Sequence, residues 1–182
     1  IVQAYSGGMS ITGPDANTPT RAGIPIGDLG SGLYSVIGIL AALLSREQTN
    51  KGQHIDMSLL DVQISLLTYM ATMQTLSNVD PEPIGNAHFV HVPYNSFTTQ
   101  NGFVVIAVIT DAFWEALLDV INIESLRDPK FSKSVDRLKN QEFIESELNK
   151  VLSTKPSDYW IKALNEAKVP CGPINTFSQA LS

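Results

Sequence analysis

The sequence predicts a mixed α/β chain, helical through its first half and α+β in its second. Three observations carry this. Apolar residues recur at helix spacing over residues 33–44 and again over 59–76. An Asn101-Gly102 pair separates two runs rich in β-branched and aromatic residues, which is a hairpin signal because Asn-Gly accepts positive φ at little cost. Three further stretches of helical period follow between residues 112 and 167.

The elements are justified in order. Ile1-Val2-Gln3-Ala4-Tyr5 has neither Met nor a charged leader, so it does not read as a signal peptide. It reads as the interior of a helix, and the chain is expected to be a piece of something longer. Residues 6–30 are dense in Gly, Pro, Ser and Thr and predict a long, ordered, functional loop. From Gly30 to Arg46, Leu33, Ile37, Leu40, Ala41 and Leu44 predict a helix, with so few charges that it should be buried nearly all round. Gly52 is the expected left-handed residue at its end. His54–Ser58 then reads as a short strand, and Leu59, Leu60, Val62, Leu66, Leu67, Met70 and Met73 restore the helical period.

The Pro-, Asn- and Gly-rich stretch 78–93 is read as a linker between residues 1–77 and a small α+β domain, 94–182. In that domain Tyr94–Phe97 and Phe103–Ile109 predict strands. Asp111 is the expected cap of a helix over 112–122. A second helix spans 134–152, with Leu138, Phe143, Ile144, Leu148, Val151 and Leu152 on one face, and a third runs from Pro156 or Ser157 to Ala167. Val169–Ile174 is too rich in Pro and Gly for a central strand and predicts a turn or edge segment, before a last helix at Ser178. Trp114 and Trp160 sit at helical spacing among apolar residues and are expected in the core.

Composition excludes several classes of function. A net charge of −6 argues against a nucleic-acid surface. The only cysteine, Cys171, permits no internal disulfide, which fits a reducing cytoplasm; with no His beside it in sequence it reads as a structural thiol. The richest apolar run, Leu33–Leu44, is about 12 residues long and is broken by Tyr34, Ser35 and Gly38, so no membrane span is expected. His88 and His91 near Asn86 lack the Cys or carboxylate that would complete a metal set, and no metal is predicted. His54 and Asp56 read as exposed polar positions.

The most informative segment is Gly23-Ile24-Pro25-Ile26-Gly27-Asp28-Leu29-Gly30-Ser31-Gly32. Asp28 stands between glycines at the mouth of an apolar helix, where backbone N–H groups are unpaired and carry partial positive charge. The glycines leave room for a ligand, and Gly30 and Gly32 could offer N–H groups to a developing oxyanion. On local pattern alone a simple N-cap role is the plainer reading of Asp28.

Several motifs together resemble the class III CoA-transferases, the CaiB/BaiF family, in their middle and C-terminal portion. They are Gln3 with Ser6-Gly7-Gly8, Gly23–Asp28, Gly38–Leu43, Lys51–Asp61, Gly85-Asn86-Ala87-His88 with Pro93-Tyr94, the Asn101-Gly102 pair, and Val169–Pro173. The resemblance implies an α/β CoA-transferase fold lacking its N-terminal nucleotide-fold half. It implies transfer of CoA from an acyl-CoA to a carboxylic acid, with Asp28 as the nucleophile that forms a mixed anhydride and then an aspartyl-CoA thioester. It also implies Gly27, Gly30, Gln3, Asn86, His88 and Tyr94 as substrate-binding residues, coenzyme A and acyl-CoA as substrates, and no tightly bound cofactor. The expected partner is a second copy, interlocked in the full-length enzyme, and the fragment alone is expected to be inactive. Two alternatives stay open. One is an α-methylacyl-CoA racemase-like epimerase, with Asp28 paired to a His upstream of Ile1. The other is a noncatalytic, self-associating fragment.

Overall fold

The computed structural model describes residues 1–182 and divides into two units, Ile1–Gly85 and Asn86–Ser182. Each is built on its own logic.

The first unit is helical. A single turn, α1 (Val2–Tyr5), leads into an irregular loop and then into α2 (Ile26–Thr49), α3 (Leu59–Ser65) and α4 (Tyr69–Ser77). Helix α2 begins four residues before the sequence predicts, and Asn50 (φ 54°), not Gly52, supplies the left-handed residue that ends it. Asn tolerates this conformation because its short amide can compensate locally. Residues 51–58 form neither strand nor helix, so the short strand expected at His54–Ser58 is absent. The single helix expected over 59–76 is broken at Leu66–Thr68, where Thr68 sits at φ 50°, a strained conformation for a β-branched residue.

Contrary to expectation, α2 is not enclosed. Leu33 is 67% and Ile37 62% exposed, and only Gly27, Gly30 and Ser31 of the helix are buried. Helix α2 is also long and apolar enough to cross a membrane by length and composition, with a window of mean hydropathy 1.6. This corrects the expectation that polar residues break the run. The Ser31 and Ser35 hydroxyls donate to the carbonyls of Gly27 and Ser31, both at 2.7 Å, so they are satisfied within the helix and do not interrupt it. The same length and composition equally suit a helix covered by other protein. In this unit only Val62 and Met70 are buried hydrophobic residues.

The second unit holds the core. Strands β1 (Tyr94–Thr99), β2 (Gly102–Ala107) and β3 (Cys171–Pro173) form an antiparallel sheet in the order β1-β2-β3. The register pairs Phe97 with Val104 and Asn95 with Ile106, and Phe97, Val104 and Ile106 point to the buried face. The turn between β1 and β2 is Gln100-Asn101, one residue earlier than the Asn-Gly signal implies, and Asn101 takes no positive φ. Its side chain instead accepts from the Ser157 N–H at 2.8 Å. β3 is the edge strand expected of a Pro- and Gly-rich segment.

The helices of this unit cover one sheet face. In α5 (Asp111–Ile121), Trp114, Leu117, Leu118 and Ile121 are buried at helical spacing. Thr110, not Asp111, is its N-cap, accepting from the Phe113 N–H, and Asp111 occupies the first helical position. The helix expected over 134–152 is two: α6 (Ser134–Lys139) and α7 (Gln141–Leu152), separated at Asn140, whose amide turns back to the Asp136 carbonyl. In α8 (Ser157–Glu166) the Trp160 indole donates to the Leu152 carbonyl at 2.8 Å. A terminal turn, α9 (Phe177–Ala180), is closed by a Thr176/Gln179 capping box. Trp114 and Trp160 lie in the core as expected.

Arg137 is the polar centre of this core and is fully buried. Its Nε donates to the Val92 carbonyl and its Nη1 to those of Phe131 and Ser132, all at 3.0 Å. Its Nη2 meets Asp111 Oδ1 at 2.9 Å, and the guanidinium lies 5.2 Å from the Trp114 ring centre.

Candidate active site

Asp28 lies in the first turn of α2 with its side chain exposed. The Ile26 N–H is taken by the Ile24 carbonyl and that of Leu29 by the Pro25 carbonyl. The Gly27 and Asp28 N–H groups are therefore the unpaired donors of this turn, which puts partial positive charge at the end of the helix that carries Asp28. Asp28 does not act as the N-cap, because Pro25 holds that position without a side-chain bond.

The glycines around it divide into two kinds. Gly27 and Gly30 are buried against α3: a Cβ on Gly27 would sit 3.4 Å from Gln63 Nε2, and one on Gly30 only 3.0 Å from Leu66 Cδ1. They permit close helix packing and are not open space for a ligand. Gly32, one turn beyond Asp28 on the same face, has nothing within 4 Å of its Cβ position. The room beside the carboxylate is there. The oxyanion donors expected at Gly30 and Gly32 are also reassigned. Both residues lie past the first four of the helix, so their N–H groups belong to the helical ladder.

Gln3 anchors the loop that leads to Asp28, its Oε1 accepting from the Ala22 N–H at 2.9 Å. With Ala22, Ile26, Gln63, Leu66 and Thr68 it lines a cavity of about 260 Å³; Asp28 is not among the lining residues. Sequence reasoning missed Gln63. It is 5% exposed, accepts from the Ser6 hydroxyl at 3.3 Å, and leaves its Nε2 enclosed without an acceptor directly beneath Gly27. The signal was present, for Gln63 is a polar residue four positions from both Leu59 and Leu67 in an apolar stripe.

In the second unit, Asn86, His88 and Tyr94 do come together. Asn86 Nδ2 donates to the Ser96 hydroxyl at 2.9 Å, which ties the turn to β1. The His88 ring stacks on Tyr94 at 5.0 Å between centres and lies 4.8 Å from that of His91. Burial, and secondly the neighbouring His91, hold the His88 pKa below its ordinary value. His91 Nδ1 is enclosed without a partner. No three of the chain's His, Cys, Asp and Glu side chains gather as metal ligands. Cys171 is half-buried on β3, and burial raises its thiol pKa, which disfavours the nucleophilic thiolate.

The family model for CoA-transferase family III matches residues 1–182. The chain belongs to this family. Among curated relatives, the acetyl-CoA:oxalate CoA-transferase of Acetobacter aceti is 36% identical over 99% of this chain and 47% of its own length. The succinate–glutarate CoA-transferase of Agrobacterium fabrum is 34% identical over 98% of this chain and 45% of its own. The chain thus spans about half the length of the curated family III transferases it matches. A crystal structure of a CAIB/BAIF family protein from Brucella suis superposes with a TM-score of 0.86 at 32% identity, covering 99% of this chain and 48% of that one. The mixed helix-and-sheet architecture is the family III fold over that half, and the chain's relatives are enzymes that transfer CoA.

Proposed function

We propose that the protein to which this chain belongs transfers CoA from an acyl-CoA to a small carboxylic acid, with Asp28 as the covalent carrier. The observation that carries this reading is the exposed Asp28 carboxylate, set beside two unpaired N–H groups and an open glycine. A carboxylate oxygen attacks the thioester carbonyl carbon, the C–S bond breaks, and CoA leaves as thiolate. The thiolate then attacks the Asp28 carbonyl carbon of the mixed anhydride and releases the donor acid. The acceptor carboxylate attacks the aspartyl thioester, and thiolate returns to the acceptor's acyl carbon, which regenerates Asp28. The Gly27 and Asp28 N–H groups are suited to the oxyanions that develop along this path. The names of the relatives, acting on oxalate and glutarate, favour a dicarboxylic acceptor.

In this reading the remaining half of the full-length protein supplies most of the CoA contacts, and the chain alone does not turn over. The uncovered apolar face of α2 supports burial against that half or against a second copy in an interlocked homodimer. A reducing cytoplasmic location suits the lone free thiol.

The test is mass spectrometry of the full-length protein incubated with succinyl-CoA or acetyl-CoA. An acyl or CoA adduct on the peptide bearing Asp28, lost in Asp28→Ala, is expected. Deuterium exchange at the acyl α-carbon without an adduct would replace transfer by a racemase-like reaction. Neither signal would leave only a self-associating domain.

A further inference from the structure

Gln63 leaves a hydrogen-bond donor unmet inside the first unit. Its side chain is 5% exposed, and its Nε2 has no acceptor. A buried donor left unpaired costs stability, and native chains retain such groups chiefly where function uses them. The sense of the amide is set at its other end. Oε1 accepts from the Ser6 hydroxyl at 3.3 Å, so the NH2 group, the positive end of the amide dipole, is turned away from Ser6. Nε2 is the atom that a Cβ on Gly27 would meet first, at 3.4 Å. The first turn of α2 therefore has donors on both sides of Gly27: the unpaired N–H groups of Gly27 and Asp28, and the Gln63 amide. Gln63 and Ile26 also line the cavity of about 260 Å³, and none of its lining residues is charged, so no ion there offsets the dipole.

We propose that Gln63 is a positioning residue for acyl transfer, its amide holding positive potential against the first turn of α2 through Gly27. This rests on the CoA-transfer reading and deepens it. A dipole fixed before substrate arrives needs no reorganisation as charge builds on the acyl oxygen. The amide turned over, with Oε1 toward Gly27, would do the opposite: it would offer the turn an acceptor and lower its potential. Ser6 thus sets the sign of the effect, by donating to Oε1.

Two substitutions in the full-length protein test this, with succinyl-CoA as donor and glutarate as acceptor. Gln63→Met removes the amide, while the Ser6 hydroxyl keeps the Gln3 carbonyl, also at 3.3 Å. Its unfolding midpoint by circular dichroism should match or exceed that of the unsubstituted protein, because an unpaired donor is gone. Its kcat should fall about threefold to fivefold with both KM values unchanged, the scale of one dipole at a helix start. Gln63→Glu keeps an acceptor for Ser6. Its protonated carboxyl still offers a hydrogen to the turn, whereas its ionised form brings charge of the wrong sign. The pH–rate profile should gain a falling limb as the introduced carboxyl ionises. A role in packing alone predicts a lowered midpoint in Gln63→Met and no new limb in Gln63→Glu, and that pair of results would overturn the proposal. An Asp28 adduct formed by Gln63→Met at the unsubstituted rate would overturn it too, with the transfer reading left standing. So would full turnover of Gln63→Glu at every pH, the result expected of the turned-over amide. Absence of any adduct in the unsubstituted protein would remove the transfer reading and this inference with it.

Discussion

Arg137→Met tests the account of how the second unit holds together. The substitution keeps an unbranched apolar stem, leaves out the guanidinium and removes four hydrogen bonds. Two of the acceptors, the carbonyls of Val92 and Phe131, belong to fully buried residues and would be stranded. Each unpaired buried carbonyl costs about 1–3 kcal/mol. The Ser132 carbonyl belongs to an exposed residue and can turn to water. Asp111, 50% exposed, regains hydration, so its ion pair contributes little of the loss. Removing a buried guanidinium also relieves its own desolvation, which offsets part of the cost. The net loss is about 2–4 kcal/mol, a large fraction of the roughly 5–15 kcal/mol of a domain. With a urea slope of about 2 kcal/mol/M, the midpoint should fall by about 1–2 M. Urea unfolding followed by tryptophan fluorescence reads this unit alone, because Trp114 and Trp160 are its only tryptophans and the first unit has none. Asp111→Asn is the control and should cost less than about 1 kcal/mol. A shift below about 0.3 M for Arg137→Met, or equal losses for the two variants, would refute the buried-carbonyl argument.

Two further outcomes are expected. Gly32→Ala should stabilise the first unit by about 0.5–1 kcal/mol, since its Cβ meets nothing. Gly30→Ala should lose that gain by crowding Leu66 and Val62, and equal stabilities in circular-dichroism melts would contradict the packing role given to Gly30. The second concerns pH. The folded His88 has a pKa below its ordinary 6.5, so the unfolded chain binds a proton that the folded chain refuses. The stability of the second unit should therefore decline as pH falls from 6.5 toward the folded value. His88→Asn should flatten that decline, and an unchanged slope in the variant would remove His88 as its source.

The helices were legible wherever the apolar period was backed by a local terminator. The cap signal at Asp111 and Trp114 among its apolar neighbours marked α5, and the Pro156-Ser157 pair marked the start of α8. Breaks that depend on a single residue were not legible. Nothing in the period over 59–76 marks Thr68 as the point where the backbone turns to positive φ, and Asn140 looks like any polar residue between helical turns. The exposure of α2 was misread because composition reports how much a helix wants to be covered, not whether anything covers it. At the candidate site, the Asp28 segment and the grouping of Asn86, His88 and Tyr94 were readable as motifs. Which glycines pack and which stand open was not, because that depends on α3 crossing beneath Gly27 and Gly30. Arg137 was invisible as well, since its four acceptors come from segments as far apart in sequence as Val92 and Ser132.

The unequal interiors of the two units bear on the order in which the polypeptide matures. Residues 86–182 own a full set of interlocking side chains. Residues 1–85 precede them in synthesis yet retain, in α2, a greasy surface that dissolves poorly until something lies on it. A newly made chain would therefore finish its later half first, while α2 keeps its apolar face bare until other protein covers it. On the function proposed above, the carboxylate at the tip of α2 would become competent only at assembly, so acyl chemistry would be withheld from an unassembled protein.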